Sequence, residues 1–349
     1  MHEEKYTIIN AQELSSEQLD SFLKLCFNKT KSSFILQNSK WLYNGIENNY
    51  VVHKNHKPVG YFGLIPHYIN ISGKKFKALA STDLHILSDY RGKGIMKTID
   101  NYVRSKNNII ISFPNKNSAK VYKRYGYKLA KDNFIMLFPA KFILLPHYKK
   151  LKKYKKYILR FLFFLMEPIS VILRKWINNK SLNYSQHLEN PSTETLAKIY
   201  ENQSKNITSI IRNEEFINWR YFKSPFFSQY NFFIGGYEKP KSIVLITRTL
   251  IHLGVVQTRI IDIFGNLNDK VGLLDIVRKA TQHSIKNNTV YITVNVSFKN
   301  IFNTLLKSGF LPVSKPKVRC WHSSSDVNKE IQNNATHWSL ADSDNDTFD

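Results

Sequence analysis

One order of elements can be read twice along this chain of 349 residues, and it constrains the fold more than any single motif does. From residue 49, "NYVVHKN" and "KPVGYFGLIPHYINI" read as strands, and "FKALASTDLHIL" as two strands or one bent one, with "SGKK" as a hairpin turn. The helical period of "GKGIMKTIDNYVRSK" then places Ile95, Ile99 and Val103 on one stripe. "NIIISF" is a continuous apolar run, as a strand buried on both faces requires. "NSAKVYKRYGYKL" predicts a helix stopped by Gly126, and "NFIMLF" a closing strand. From residue 230 the order returns: "YNFFIGGY", "SIVLITRTLIHL" and "QTRIIDIFG" as strands, "GLLDIVRKATQHSIK" as a helix, the strand "TVYITVNV", the helix "KNIFNTLLKSG", and "FLPV". A repeat of architecture with little residue identity predicts an α/β fold (α+β, mixed sheet) in two similar units in tandem.

Each copy has helical segments ahead of it. "KYTIIN" is a short strand, "SSEQLDSFLKLCF" an amphipathic helix begun at a Ser cap, and "KWLYNGI" a further helical turn or two. "STETLAKIYENQ" and "NEEFINWRYF" precede the second copy as helices. The expected division is a domain over 1–140, a linker over 141–185, a second domain over 186–325, and a polar acidic tail over 326–349.

The linker contains "YKKLKKYKKYILRFLFFLMEPISVILRKW", residues 148–176. Arg160, Glu167 and Pro168 leave its uninterrupted apolar part short of the ~20 residues that a spanning helix needs. It reads as a packed linker helix, as an interfacial helix with lysines towards anionic headgroups, or as a span, and the residues leave these open.

The whole chain has 51 Lys and Arg against 26 Asp and Glu, a net charge of +25. That balance points to anionic partners, although a general enrichment in Lys, Asn and Ile would produce much of it. No zinc-finger spacing or RNA-binding motif is present, so nucleic acid is not an expected partner. Cys26 and Cys320 lie in different halves, which argues against a disulfide framework or a cysteine metal site and fits a reducing interior. The first residues are acidic and polar with no signal core, so the expected location is cytoplasmic, peripheral at the inner face of the membrane if the interfacial reading holds.

The chemistry centres on "SDYRGKGIMKTID", residues 88–100. A strand ends at Leu87 and a helix begins near Gly92, where unpaired N–H groups and the positive end of the helix dipole favour an anion. Glycines let the backbone approach it, and Arg91 and Lys93 add charge. With "FPNKNSAKVYKRYGY" downstream, this stretch resembles the GNAT superfamily of GCN5-related N-acetyltransferases. In that family a Q/R-x-x-G-x-G/A loop cradles the pyrophosphate of acetyl-CoA, and Arg91, Gly92, Lys93, Gly94, Ile95 and Met96 fall on it. Met96 departs from the family's small residue. Asn115, Ser118, Tyr122, Gly126 and Tyr127 fall on a second family block.

The resemblance implies acetyl-CoA as cosubstrate, no metal, and a small-molecule amine acceptor. It places Tyr122 as the acid that protonates the thiolate, and Asn115 and Ser118 beside the pantetheine arm. The backbone of Ile86 and Leu87 is where the family pairs with the pantetheine amide and acetyl oxygen. Asp83 or His85 would take the proton of the incoming ammonium, a task that suits an imidazole with its near-neutral pKa.

Aligning Gly309-Phe310 with Gly126-Tyr127 puts Leu305 at the place of Tyr122 and Phe298 at that of Asn115, so the second unit is expected to be degenerate. The arrangement is similar to tandem GNAT proteins, including the enhanced-intracellular-survival type. It more closely resembles acetyltransferases encoded with bacterial surface-polysaccharide genes, where "FINWRYFKSP" and a "W…DSD" ending recur. That likeness implies an amino sugar or sugar nucleotide as acceptor, with Trp219, Arg220 and Tyr221 as candidate contacts or as a helix packed on the second core. Asp342, Asp344 and Asp346 are expected in a solvated tail rather than in the cleft. Two other functions fit the residues: an aminoacyl transferase of the peptidoglycan-precursor type, and a non-catalytic membrane-surface module.

Overall fold

The computed structural model describes residues 6–106, 109–144, 153–179, 184–237, 241–313 and 317–342. The first half contains β1 Tyr6–Asn10, α1 Ser16–Cys26, α2 Lys29–Leu42, β2 Asn49–Lys54, β3 Lys57–Ile71, β4 Lys74–Ile86, α3 Ile95–Ser105, β5 Ile109–Ser112, α4 Lys116–Arg124 and β6 Lys128–Pro139. The connecting helix α5, Lys153–Asn178, is followed by β7 Ser185–Leu188, α6 Thr193–Tyr200, β8 Ile207–Ile210 and α7 Glu214–Ile217. The second copy of the pattern is β9 Tyr230–Gly235, β10 Ile243–His252, β11 Val255–Gly265, α8 Lys270–Lys286, β12 Tyr291–Val296, α9 Lys299–Lys307 and β13 Leu311–Pro312. The chain closes with β14 Lys317–His322, α10 Ser325–Asn333 and β15 Ala335–Thr336.

Local chemistry explains most element ends. Ser15 caps α1 in a reciprocal box with Gln18. Ser72 and Gly73, with φ of 50° and 82°, make the tight β3–β4 turn that puts Ile71 opposite Lys74. Gly126, at φ 80°, ends α4, and Tyr127 N–H bonds back to the Tyr122 carbonyl. Ile95, Ile99 and Val103 are all buried, and every residue of β5 is buried, as their patterns predict.

The sheets correct the expected division. β5 does not pair with β6; β14 lies between them, antiparallel to both, with Cys320 opposite Ser112 on one side and Leu129 on the other. The far part of β6 in turn pairs with β12, Ile292 opposite Phe138. Each half therefore lends a strand to the other, and two mixed sheets join through β6 in the order β1-β2-β3-β4-β5-β14-β6-β12-β11-β10-β9-β7. Residue 140 is not a point at which a self-contained unit ends.

The polar tail also needs correction. α10 is ordered, β15 pairs with β8, and Trp338, Leu340, Ala341 and Asp342 are buried. Apolar residues interleaved with the acids give this segment a core-facing side. Asp342 reaches Arg212 at 2.6 Å, so it is neither solvated nor in a cleft. Asp344 and Asp346 lie outside the described residues.

Candidate active site

The site begins where β4 leaves β5. The two strands run parallel from Ala78 opposite Ile109 to Ser81 opposite Ser112. Beyond Ser81, β4 continues to Ile86 after a bulge in which Asp83 and Leu84 oppose Phe62 alone, with Asp83 at φ 54°. A bulge bends its strand, so the two parallel strands part here. Leu87 N–H is bonded to Val59 on β3, and strand alternation directs the amide of Ile86 to the opposite edge, towards the gap. The Ile86 carbonyl accepts from Arg91 Nε at 2.8 Å. Of the two backbone contacts expected here, Ile86 therefore faces the gap, whereas the Leu87 amide is spent on β3.

The loop after β4 presents an anion cradle. Gly92 and Gly94 have φ of 79° and 85°, and a Cβ built at either would meet nothing within 4 Å. Gly94 caps α3 with no side chain across its first N–H groups. Arg91 and Lys93 are exposed beside it. Ile95 is core, so only its backbone is available to a ligand; Met96 packs half-buried on the same apolar cluster, which accounts for its size.

The equivalent place in the second half is filled. Asp269 caps α8, and its carboxylate accepts from Gly272 N at 2.8 Å and Tyr237 N at 2.7 Å. A Cβ at Gly272 would collide with that carboxylate. The first helix N-terminus is thus open beside two cationic side chains, whereas the second is occupied by its own carboxylate. Phe298 and Leu305 are core residues of the second half.

Tyr122 lies at the fork. Its hydroxyl is 3.4 Å from Ser81 Oγ, and Ser112 Oγ donates to the Ser81 carbonyl at 3.2 Å. Burial, then the neighbouring Cys320 thiol, raises the phenol pKa, while the Ser112 and Ser81 hydroxyls oppose the shift. The phenol therefore keeps its proton at neutral pH. Cys320, itself pushed up to about 12 by burial, comes from the inserted β14, so the far end of the chain completes the setting of Tyr122. Its pairing across two hundred residues leaves no local signal. Asn115 is the N-cap of α4, accepting from Asn117 N and Ser118 N at 3.0 Å each, and Ser118 Oγ donates back to its Oδ1 at 3.1 Å. Both residues hold the helix end that faces the gap.

On the opposite face of β4 the two candidate bases differ. Asp83 is sealed from solvent, ion-paired with Lys31, and accepts from Tyr43 OH at 2.8 Å. Tyr61 donates to Tyr43 at 3.2 Å, and Asn49 to Tyr61, also at 3.2 Å. Asp83 thus anchors a buried network through the bulge. His85 is half-buried against the Phe27 ring, and burial, then Arg91, lowers its pKa, so its imidazole is neutral at neutral pH.

The three candidate acceptor contacts separate. Tyr221 is buried and donates to Asp262 Oδ2 at 2.8 Å. Arg220 is buried, donates to the Ala341 carbonyl at 3.0 Å and lies over the Trp41 ring. Both are held in the junction between halves, Tyr221 in a cluster shared with Trp41 and Tyr43. Trp219 does reach a cavity of about 380 Å³, which it walls together with Phe216 and His67, with Asn44, Asn213 and Glu215 nearby. His67 was not singled out by its sequence context. It is 6% exposed, and burial, then Arg212 and Arg220, lowers its pKa to about 3 against the opposing pull of the Asp342 backbone. Among the described residues no cluster of three or more His, Cys, Asp or Glu could hold a metal ion.

Residues 7–130 match the family described as Acetyltransferase (GNAT) domain. No curated protein matches the chain in sequence. Among solved structures, a GCN5-related N-acetyltransferase from Anabaena variabilis superposes with a TM-score of 0.58 at 14% identity, covering 90% of this chain and 72% of that one. A probable N-acyltransferase from Enterococcus faecalis, itself of unknown function, gives 0.57 at 12% identity over 90% and 71%. The N-myristoyltransferase of Saccharomyces cerevisiae with bound myristoyl-CoA gives 0.55 at 10% identity over 92% and 82%. At such identities these likenesses concern the fold.

Proposed function

We propose that this chain, which carries a GNAT acetyltransferase domain and is an acyltransferase, moves an acetyl group from acetyl-CoA to the amine of a small acceptor. The observation that carries this reading is the open glycine cradle at Gly92 and Gly94, beside a fork that holds Tyr122. Acetyl-CoA would supply the thioester whose acyl carbon the amine attacks. The cradle, with Arg91 and Lys93, holds its pyrophosphate, and the Ile86 amide orients the arm along β4. His85 accepts the proton released by the ammonium, and the buried Tyr122 phenol returns one to the departing thiolate. Asp83 serves as a positioning residue through Tyr43 and Lys31. A CoA donor places the reaction in the cytoplasm.

The acceptor in this reading is an amino sugar or sugar nucleotide of surface-polysaccharide synthesis. The cavity walled by Trp219, Phe216 and His67 supports it, because aromatic faces beside polar side chains suit a hydroxylated ring. Mass spectrometry of amino-sugar nucleotides incubated with acetyl-CoA and the full chain tests it. A gain of one acetyl group is the expected result. Transfer from aminoacyl-tRNA, with acetyl-CoA left intact, would replace this reading with the aminoacyl-transferase one.

A further inference from the structure

Helix α5 is apolar on two adjoining faces. Its inner side packs on the protein: Phe163 and Met166 contact the cluster around Phe142, while Leu173, Trp176 and Ile177 belong with the core of the second half. Its outer side carries Ile158, Phe161, Leu162, Leu165, Ile169 and Ile172, between 46% and 65% exposed. Their spacing of three and four residues makes one continuous stripe, where a surface helix ordinarily turns its polar residues to water. A stripe of this kind marks an interaction surface.

We propose that the outer stripe of α5 docks the enzyme onto an anionic lipid surface. Charge selects this occupant. Residues 148–176 contain nine Lys and Arg and one acid, Glu167, which is paired with Arg174 at 3.4 Å. An apolar stripe flanked by cations gives the two signals, insertion and electrostatic attraction, that hold a helix in the plane of an anionic membrane. Tyr157, exposed near one end, is a residue type suited to the headgroup level. A second copy of this chain would bring a segment of the same cationic composition, which favours an anionic occupant instead. The helix lies on the surface and does not cross it: its inner side is committed to the protein core, and among the described residues no helix is long and apolar enough to span. This docking is independent of the identity of the acceptor.

The test is sedimentation of the full chain with phosphatidylcholine vesicles, with and without phosphatidylglycerol as a third of the lipid. The wild type is expected to bind the anionic vesicles on the order of tenfold more tightly, with the difference shrinking in high salt. F161E/L165E/I172E, all at exposed positions, is expected to lose vesicle binding while calorimetry shows wild-type acetyl-CoA affinity, the control for folding. Three outcomes overturn the proposal: no binding to anionic vesicles in low salt, equal binding by the triple variant, or a wild-type dimer in light scattering that the triple variant abolishes.

Discussion

Trp41 and Trp219 exchange hydrogen bonds: each indole N–H donates to the other's backbone carbonyl, at 2.9 Å from Trp41 and 2.6 Å from Trp219. One residue ends α2 of the first half; the other sits on the turn after α7 that walls the cavity. Arg220 lies over both rings and donates to Ala341. The wall of the cavity is therefore set by a junction drawn from three distant stretches of chain.

Trp219→Phe removes one of two donors to the Trp41 carbonyl, which keeps the Asn44 N–H at 3.1 Å. The expected loss of stability is about 0.5–1.5 kcal/mol by urea unfolding. Trp41→Phe should cost a similar amount, and the double variant should depart from the sum, because both rings pack in one junction under Arg220. Strict additivity would show that the two bonds act independently.

Tyr122→Phe keeps the ring that packs against Tyr127 and removes only the hydroxyl. Turnover should fall roughly 10²–10⁴-fold, the usual share of a general acid, with acetyl-CoA affinity by calorimetry little changed. Equal losses in both would assign the hydroxyl to binding.

Gly94→Val tests the cradle. At φ 85° a β-branched residue is strained, and its side chain stands where an anion would approach. Acetyl-CoA should bind at least about tenfold more weakly, while the α3 stripe keeps its packing. Asp269→Asn, at the filled cradle of α8, should leave acetyl-CoA affinity unchanged; a loss there would mean that the second half holds the cosubstrate.

What was legible in the sequence was local. The α3 stripe, the Gly126 stop and the cap at Ser15 follow from residues within a turn of one another. The exchanged strands did not, because "KVRCWH" carries nothing to say that it pairs with β5 of the other half. Asp342 was misread for the same reason: in an acidic stretch it looks solvated, and only Arg212, 130 residues away, explains its burial. His67 sits in an ordinary strand pattern, and its burial in a cavity wall becomes visible only once Trp219 packs against it.

Acid should destabilise this protein earlier than its carboxylates alone require. Unfolded imidazoles titrate near 6.5, whereas burial, then Arg212, holds His337 down to about 4, and burial, then Arg212 and Arg220, holds His67 down to about 3. Between those values the unfolded chain binds protons that the fold refuses. Their contribution is therefore whole above pH 6.5 and falls away as the pH drops towards the folded values. Going from about pH 7 to about pH 5, each buried imidazole should remove roughly 2 kcal/mol, read as a falling urea midpoint. His67→Gln takes one titrating group out of the same cavity and keeps a polar side chain, so its midpoint should fall less over that interval. A wild-type slope in the variant would mean that His67 is protonated in the fold, and with it would go the neutral ring that the cavity offers to a ligand.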